Sequence, residues 1–135
     1  MELPRLFEGT IVHGFGRGGS VLGYPTANIC TTGWKAEIDE EDEGVYCGYS
    51  FIDGEYYPSV ISIGPSPTFK AGEPAFEVHL LDYNNDIYGR VLKVEVTDRI
   101  RGMLKFNSLD ELKAAITNDT TQARRLLSGK THSLM

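Results

Sequence analysis

Short segments in which apolar and polar residues alternate fill the first hundred positions, and they constrain the fold more than any other feature. Such alternation places every second side chain on the same face of a strand. The dipeptide Asp53-Gly54 between two of these segments is typical of a tight hairpin. Between residues 45 and 96 no connection has the length of a helical crossover, so the pattern there favours antiparallel over parallel pairing. We expect strands at residues 6–12, 45–52, 56–63, 75–81 and 91–96.

A change to helical periodicity marks the C-terminal part of the chain. Ser108 and Glu111 form a capping box, in which the serine caps an amide three residues on and the glutamate reaches back. A second start signal at residues 119–122 leaves open whether one or two helices follow, and Gly129 is suited to end the last one. The apolar stripe comprises Leu109, Leu112, Ala115, Ile116, Ala123, Leu126 and Leu127. We therefore predict a small antiparallel barrel with one or two appended helices, in a single domain over residues 1–135.

The composition is that of a globular protein. Of the 135 residues, 41% are apolar and 24% are charged, which is ordinary for such a domain. No run approaches the ~18 consecutive apolar residues of a membrane span, and the N-terminus has no apolar stretch of a secretory signal. Cys30 and Cys47 are too few for a disulfide framework and lack metal-site spacing. We expect reduced thiols, no membrane association and a cytoplasmic location, with an organelle matrix as the alternative.

The charge balance bears on the kind of ligand. Thirteen basic against nineteen acidic residues give a net charge of −6, which argues against a surface that holds nucleic acid by its phosphates. A small anionic ligand needs only a few local donors, so it remains compatible with this balance. Six of the seven residues at 37–43 are acidic, and we expect them to form a solvated loop away from any phosphate.

A cluster of glycines at residues 14–19 has the spacing G-x-G-x-x-G. A dinucleotide-binding fold needs a helix directly after such glycines, with its N-terminus at the pyrophosphate. Pro25 prevents such a helix from continuing, so we reject that fold. Two interpretations remain: a flexible turn, or a loop whose exposed amides approach a phosphate with Arg17 as the cation.

Thr26 and Asn28 follow the glycines after a proline that stiffens the chain. In an extended segment these two residues point to the same side. A hydroxyl and an amide oxygen are hard ligands suited to Mg²⁺. Either a turn or strand start, or a metal site, accounts for the pair.

Glu77 lies on a predicted strand together with His79. Both face the side opposite Phe76, Val78 and Leu80. A carboxylate in this position is either a solvated surface residue or, near the mouth of a small barrel, a general base.

These stretches together resemble the riboflavin kinases. The segments that carry the resemblance are FEGTIVHGFGRGGSVLGYPTANI, SIGPSPTF, FEVHLLDYNNDIYG and RIRGMLKFNSLDELKAAITND, in the order and spacing of that family over residues 7–128. The resemblance implies a six-stranded antiparallel Greek-key barrel with a C-terminal helix. It also implies ATP-dependent phosphorylation of riboflavin to FMN with a divalent cation, for which Mg²⁺, Zn²⁺ and Mn²⁺ stay open.

The resemblance implies roles for individual residues. Glu77 is implied as the catalytic base, and Thr26 and Asn28 as ligands of the metal and the phosphates. The implied ATP-binding positions are Gly14, Gly16, Arg17, Gly18, Ser20, Thr26, Asn28, Leu80, Asp82 and Tyr88. The implied flavin-binding positions are Arg101, Leu104 and Phe106. Ser20 departs from the family pattern, because a lysine often occurs there.

We therefore expect a monofunctional kinase that acts as a monomer on ATP and riboflavin without nucleic acid. We expect no adenylyltransferase domain ahead of it, since few residues precede the first predicted strand. One alternative is a non-catalytic barrel module that binds flavin or nucleotide, but it would require the loss of Glu77 or of the Thr26–Asn28 pair, and both are present. Another is an oligonucleotide-binding barrel, which needs a basic face bearing aromatic residues.

Overall fold

The computed structural model describes residues 3–12, 26–29, 42–65, 74–83, 91–102 and 107–128. In these ranges the chain forms six strands and one helix. In chain order they are β1 (Arg5–Val12), β2 (Thr26–Ile29), β3 (Gly44–Ile52), β4 (Glu55–Pro65), β5 (Pro74–Leu80), β6 (Val91–Arg101) and α1 (Leu109–Leu127). The predicted mostly antiparallel β fold with a C-terminal helix is confirmed.

The strands pair in the order β1-β2-β5-β4-β3-β6, and β6 pairs with β1 so that the sheet closes on itself. Every pairing is antiparallel. Three neighbouring pairs in this ring are distant in sequence: β2 with β5, β3 with β6, and β1 with β6. The pairing of β2 with β5 brings the residues around Asn28 beside those around Glu77.

The hairpin between β3 and β4 has the predicted turn. Asp53 and Gly54 adopt φ values of 55° and 76°, and the flanking residues Ile52 and Glu55 pair directly. Positive φ at both central positions is the geometry of a type I′ turn, which matches the twist of the flanking strands.

Two apolar clusters hold the fold together, and β3 contributes to both. Tyr46 and Ile52 on one face of β3 belong to the barrel core, whereas Val45 and Cys47 on the other face lie under α1. The barrel core comprises Phe7, Ile11, Tyr46, Ile52, Ile61, Ile63, Phe76, Val78, Leu80, Tyr83, Leu92, Val94 and Val96. The helix cluster comprises Val45, Cys47, Val60, Ala123 and Leu127. Burial of this apolar surface on both sides of the sheet is the main stabilising contribution to the fold.

The helix begins as predicted. The Ser108 hydroxyl accepts a hydrogen bond from the backbone N–H of Glu111 at 3.1 Å, and the Glu111 carboxylate accepts one from the backbone N–H of Asn107 at 2.6 Å. The second start signal at residues 119–122 does not begin a new helix, because α1 runs without a break from Leu109 to Leu127. Gly129 lies outside the described residues.

The acidic segment is only partly as predicted. Asp42 is 5% exposed rather than solvated, and its carbonyl oxygen accepts a hydrogen bond of 2.5 Å from the Tyr46 hydroxyl. Asp42 is buried because β3 begins two residues later, at Gly44, so the end of the acidic segment lies against the barrel. Residues 37–41 lie outside the described part of the chain.

Of the two cysteines, Cys30 also lies outside the described part of the chain, while Cys47 is fully buried as expected. Among the described residues, no helix has both the length and the apolar character to span a membrane.

Candidate active site

The pairing of β2 with β5 joins the two sequence stretches that carry candidate chemistry. In the backbone register Asn28 stands opposite Glu77, and Thr26 stands opposite His79. Because Asn28 and Glu77 pair directly, a candidate metal ligand and the candidate base are immediate cross-strand neighbours. The Thr26–His79 pair lies two residues away along the same two strands. Cross-strand neighbours of this kind lie about 4.5–5.5 Å apart.

Glu77 is held on the outer side of the barrel by its neighbours. Phe76 and Val78 on either side of it are fully buried in the barrel core, so alternation along the strand turns Glu77 outward. The side chain is partly buried. On the side away from β2, its register partner on β4 is Ser62. A partly buried carboxylate on a strand that is paired on both sides can accept a proton from a bound substrate.

His79 shares this outer side with Glu77, two residues further along β5. Burial lowers the pKa of His79 below its ordinary value of 6.5, and the negative charge of Asp119 partly opposes that shift. Its register partner on β4 is Val60, which packs in the helix cluster. The outer side of β5 therefore extends from Glu77 towards the region covered by α1.

Arg101, a candidate flavin-binding residue, lies at the end of β6 and is bound to the helix. Its Nε and one Nη donate to the two carboxylate oxygens of Asp119 at 2.9 Å and 2.8 Å. Its other Nη donates to the carbonyl of Gly102 at 3.1 Å. The Asp119 side chain is 4% exposed and that of Arg101 is 20% exposed. This is a partly buried, bidentate ion pair, the strong form of the interaction.

Asp119 is a residue that sequence reasoning missed. Its position at the head of the second start signal favours an N-cap, yet it lies within α1 and binds Arg101. The only signal for its real role is an aspartate in the predicted helix and an arginine eighteen residues earlier, and neither indicates the pairing by itself.

The candidate nucleotide-binding residues Leu80 and Asp82 lie at and just after the end of β5. Leu80 is fully buried in the barrel core, and Asp82 is exposed with a φ of 65°. The Asp82 carboxylate accepts hydrogen bonds of 2.9 Å and 3.0 Å from both Nη atoms of Arg124 on α1, and these bonds lower the pKa of Asp82. A contact of either residue with a nucleotide remains a prediction.

The other predicted site residues lie outside the described ranges. They are Gly14, Gly16, Arg17, Gly18, Ser20, Tyr88, Leu104 and Phe106. Within the described ranges, no group of three or more His, Cys, Asp or Glu side chains is arranged to hold a metal ion. The candidate metal ligands Thr26 and Asn28 would bind through a hydroxyl and an amide oxygen, so they are not among these four residue types.

Comparison with known proteins gives a consistent result. The family model for riboflavin kinase, also called flavokinase, matches residues 1–127. The chain is 33% identical over 136 residues to the riboflavin kinase of Homo sapiens, and the match covers 97% of this chain and 86% of the human protein. It is 37% identical over 128 residues to the bifunctional riboflavin kinase/FMN adenylyltransferase of Bacillus subtilis, covering 93% of this chain but 39% of that protein.

A solved structure agrees with these matches. The riboflavin kinase of Trypanosoma brucei superposes with a TM-score of 0.69 at 28% identity, covering 94% of this chain and 82% of that one. The human and trypanosomal proteins are therefore matched over most of their own length, whereas the bifunctional one is matched over less than half. The chain belongs to the riboflavin kinase family.

Proposed function

We propose that this protein transfers the γ-phosphoryl group of ATP to the 5′-hydroxyl of the ribityl chain of riboflavin, which yields FMN and ADP. Membership of the family supports the reaction class. The observation that carries the proposal is the register of β2 with β5, in which Asn28 pairs with Glu77. This pairing joins a candidate phosphate and metal position to a candidate base within one strand spacing.

Phosphoryl transfer depends on positioning and on neutralising the charge of the phosphates, and the protein needs little covalent chemistry of its own. Glu77 accepts the proton of the 5′-hydroxyl while that oxygen forms its bond to the γ-phosphorus. The bond from the γ-phosphorus to the bridging oxygen of ADP breaks at the same time. Strand β5 keeps the carboxylate in place, since the residues on both sides of Glu77 are fully buried.

The donor chemistry of β2 fits a hard divalent cation. Thr26 and Asn28 offer a hydroxyl and an amide oxygen, with one residue between them on this strand, and oxygen ligands of this type suit Mg²⁺. We propose that these two residues hold the cation together with the ATP phosphates. When bound, the cation neutralises part of the phosphate charge. Zn²⁺ and Mn²⁺ are the alternatives to be compared.

The finer features of the proposal follow the resemblance. We propose that the six strands are the Greek-key barrel of the family, and that residues 1–135 form a single kinase domain. ATP binds along the glycine segment 14–19 and near Asp82, and flavin binds near Arg101. We propose a monomer that binds no nucleic acid and works in the cytoplasm or an organelle matrix.

A direct assay of product tests the activity. The protein is incubated with riboflavin, ATP and Mg²⁺, and FMN is separated by chromatography. Parallel samples lack the cation or contain Zn²⁺ or Mn²⁺ instead. We expect FMN only when a divalent cation and ATP are both present. Riboflavin binding without any FMN would contradict the proposal and favour the non-catalytic barrel module.

The Glu77→Gln variant tests the base. Glutamine keeps the size and much of the polarity of the side chain but does not accept a proton at neutral pH. General-base catalysis contributes about 10²–10⁴-fold, so kcat should fall by about that factor, while riboflavin and ATP should still bind.

The matched control is Glu8→Gln, because Glu8 is an exposed strand carboxylate whose ion pair with Lys93 spans 3.8 Å. This control should leave kcat within about twofold of the wild type, as surface ion pairs contribute little. A folded Glu77→Gln variant with wild-type kcat would remove Glu77 from the mechanism.

A further inference from the structure

Asp119 and the arginine that it binds connect the helix to the barrel beside the proposed flavin site. Asp119 occupies the eleventh position of α1, and Arg101 is the last residue of β6. Their bidentate contact, at 2.9 Å and 2.8 Å, joins the helix to the strand from which the candidate flavin-binding segment continues. A role of this contact in flavin binding rests on the proposed function.

The carboxylate of Asp119 is held rigidly. Ala123 and Leu127, four and eight residues further along α1, lie on the same side of the helix and are buried in the helix cluster. The Tyr49 hydroxyl on β3 also donates to the carbonyl of Leu127 at 2.9 Å. Because the helix is packed in this way, Asp119 presents a fixed acceptor to whatever approaches it from β6.

A fixed carboxylate determines the orientation of an arginine. The guanidinium is planar, and two parallel hydrogen bonds to one carboxylate allow it a single plane. The additional bond from Arg101 to the carbonyl of Gly102 holds the other side of the group. Arg101 therefore cannot sample the range of rotamers that a surface arginine has, and its flat face keeps one direction.

Such an orientation has a use beyond stability. Buried ion pairs are weak evidence for stability, since removing two charges from water costs about as much as their attraction returns. An arginine whose edge is occupied by a carboxylate still offers its planar face to an aromatic ring. The isoalloxazine ring of riboflavin is a large planar ring of this kind.

We propose that Asp119 is a positioning residue for the flavin: its carboxylate holds the Arg101 guanidinium in the plane in which it meets the isoalloxazine ring. Asp119 does not itself touch the substrate. Without this carboxylate, Arg101 keeps its charge but loses its fixed orientation, so riboflavin binding weakens while nucleotide binding does not.

The test measures binding rather than turnover. Riboflavin is titrated against the full chain by its fluorescence, and MgADP is titrated separately by calorimetry. We expect Asp119→Asn to weaken riboflavin binding about tenfold, the effect of losing one charge-assisted contact, and to leave MgADP binding within about twofold. The control is Asp110→Asn, which removes one exposed carboxylate from the first turn of the same helix and should change neither constant.

A double-mutant cycle separates positioning from a merely structural role. If Asp119 acts through Arg101, then the variant Arg101→Ala/Asp119→Asn binds riboflavin no more weakly than Arg101→Ala alone. Thermal melting of each variant accompanies the titrations. Wild-type riboflavin affinity in folded Asp119→Asn, or additive losses in the cycle, would overturn the inference.

A second variant covers the case in which Asp119→Asn does not fold. Replacement of both charges by apolar residues, as in Arg101→Met/Asp119→Leu, is often neutral for stability. We expect that variant to fold and to bind riboflavin about tenfold more weakly, and wild-type affinity would again overturn the inference. These results are distinct from failure of the proposed function, which would appear as a wild-type protein that makes no FMN.

Discussion

Replacing Gly48 with alanine should force β3 and β6 apart. A Cβ atom built on Gly48 would lie 1.8 Å from the carbonyl oxygen of Glu95, 2.8 Å from its carbonyl carbon and 3.0 Å from the Cα of Val96. All three are backbone atoms, so no side-chain rotation relieves the overlap. The strands already change register between Cys47 and Gly48, and the absent side chain is what permits this close approach.

The size of the effect follows from the overlap. Carbon and oxygen atoms of neighbouring strands come no closer than about 3.3 Å, so the backbones must separate locally by about 1.5 Å. Overpacking costs about 1–3 kcal/mol, and a separation of that size breaks about two ladder hydrogen bonds at about 1 kcal/mol each. The free energy of unfolding should therefore fall by about 3–5 kcal/mol. In a domain of this length, that corresponds to a Tm about 10–20 °C lower.

The assay is thermal unfolding followed by circular dichroism, with Gly54→Ala as the matched control. Gly54 has a φ of 76°, but a Cβ atom added there would meet no other atom within 4 Å. Alanine at this position therefore costs only the strain of a left-handed backbone conformation, about 1–2 kcal/mol. Its Tm should fall by no more than about 8 °C. If Gly48→Ala melts within that range, or no lower than Gly54→Ala, the steric reasoning is refuted.

Two further predictions concern β2 and β5. Thr26→Val keeps the shape of the side chain and removes the proposed hydroxyl ligand, so FMN formation should fall more than about tenfold, with little change in Tm; near-normal turnover would exclude the ligand role. Burial lowers the pKa of His79 in the folded protein below 6.5. The imidazole therefore takes up a proton more readily in the unfolded chain than in the folded one, so the free energy of unfolding falls as the pH drops through about 6.5. A change from about pH 7.5 to pH 5.5 should therefore lower the Tm of the wild type more than that of His79→Gln. Equal decreases in Tm would contradict a lowered pKa for His79 in the folded protein.

Local patterns predicted most of the elements. The alternation around Glu77 is confirmed, since Phe76, Val78 and Leu80 are buried while Glu77 and His79 are not fully so. The capping box at Ser108 begins α1 as expected. These predictions succeed because they depend on residues within a few positions of one another.

Predictions failed where a distant part of the chain changes the environment of a residue. Strand β6 extends to Arg101 rather than ending near residue 96, because its last residues pair with β3 across register shifts. Residues 119–122 have the composition of a helix start, but packing of α1 on the barrel keeps the helix continuous. Asp42 is buried by the start of β3 although its neighbours in sequence are acidic.

The amino-acid sequence by itself determined the periods, turns and caps of this protein, and its motifs were sufficient to indicate the family. The tertiary structure alone decided which strands are neighbours, so that Asn28 pairs with Glu77, and which charges meet, so that Asp119 binds Arg101. The physical reason is range: strand alternation and helix caps act over two to four residues, whereas closing the sheet and burying a charge depend on groups brought together only when the whole barrel forms.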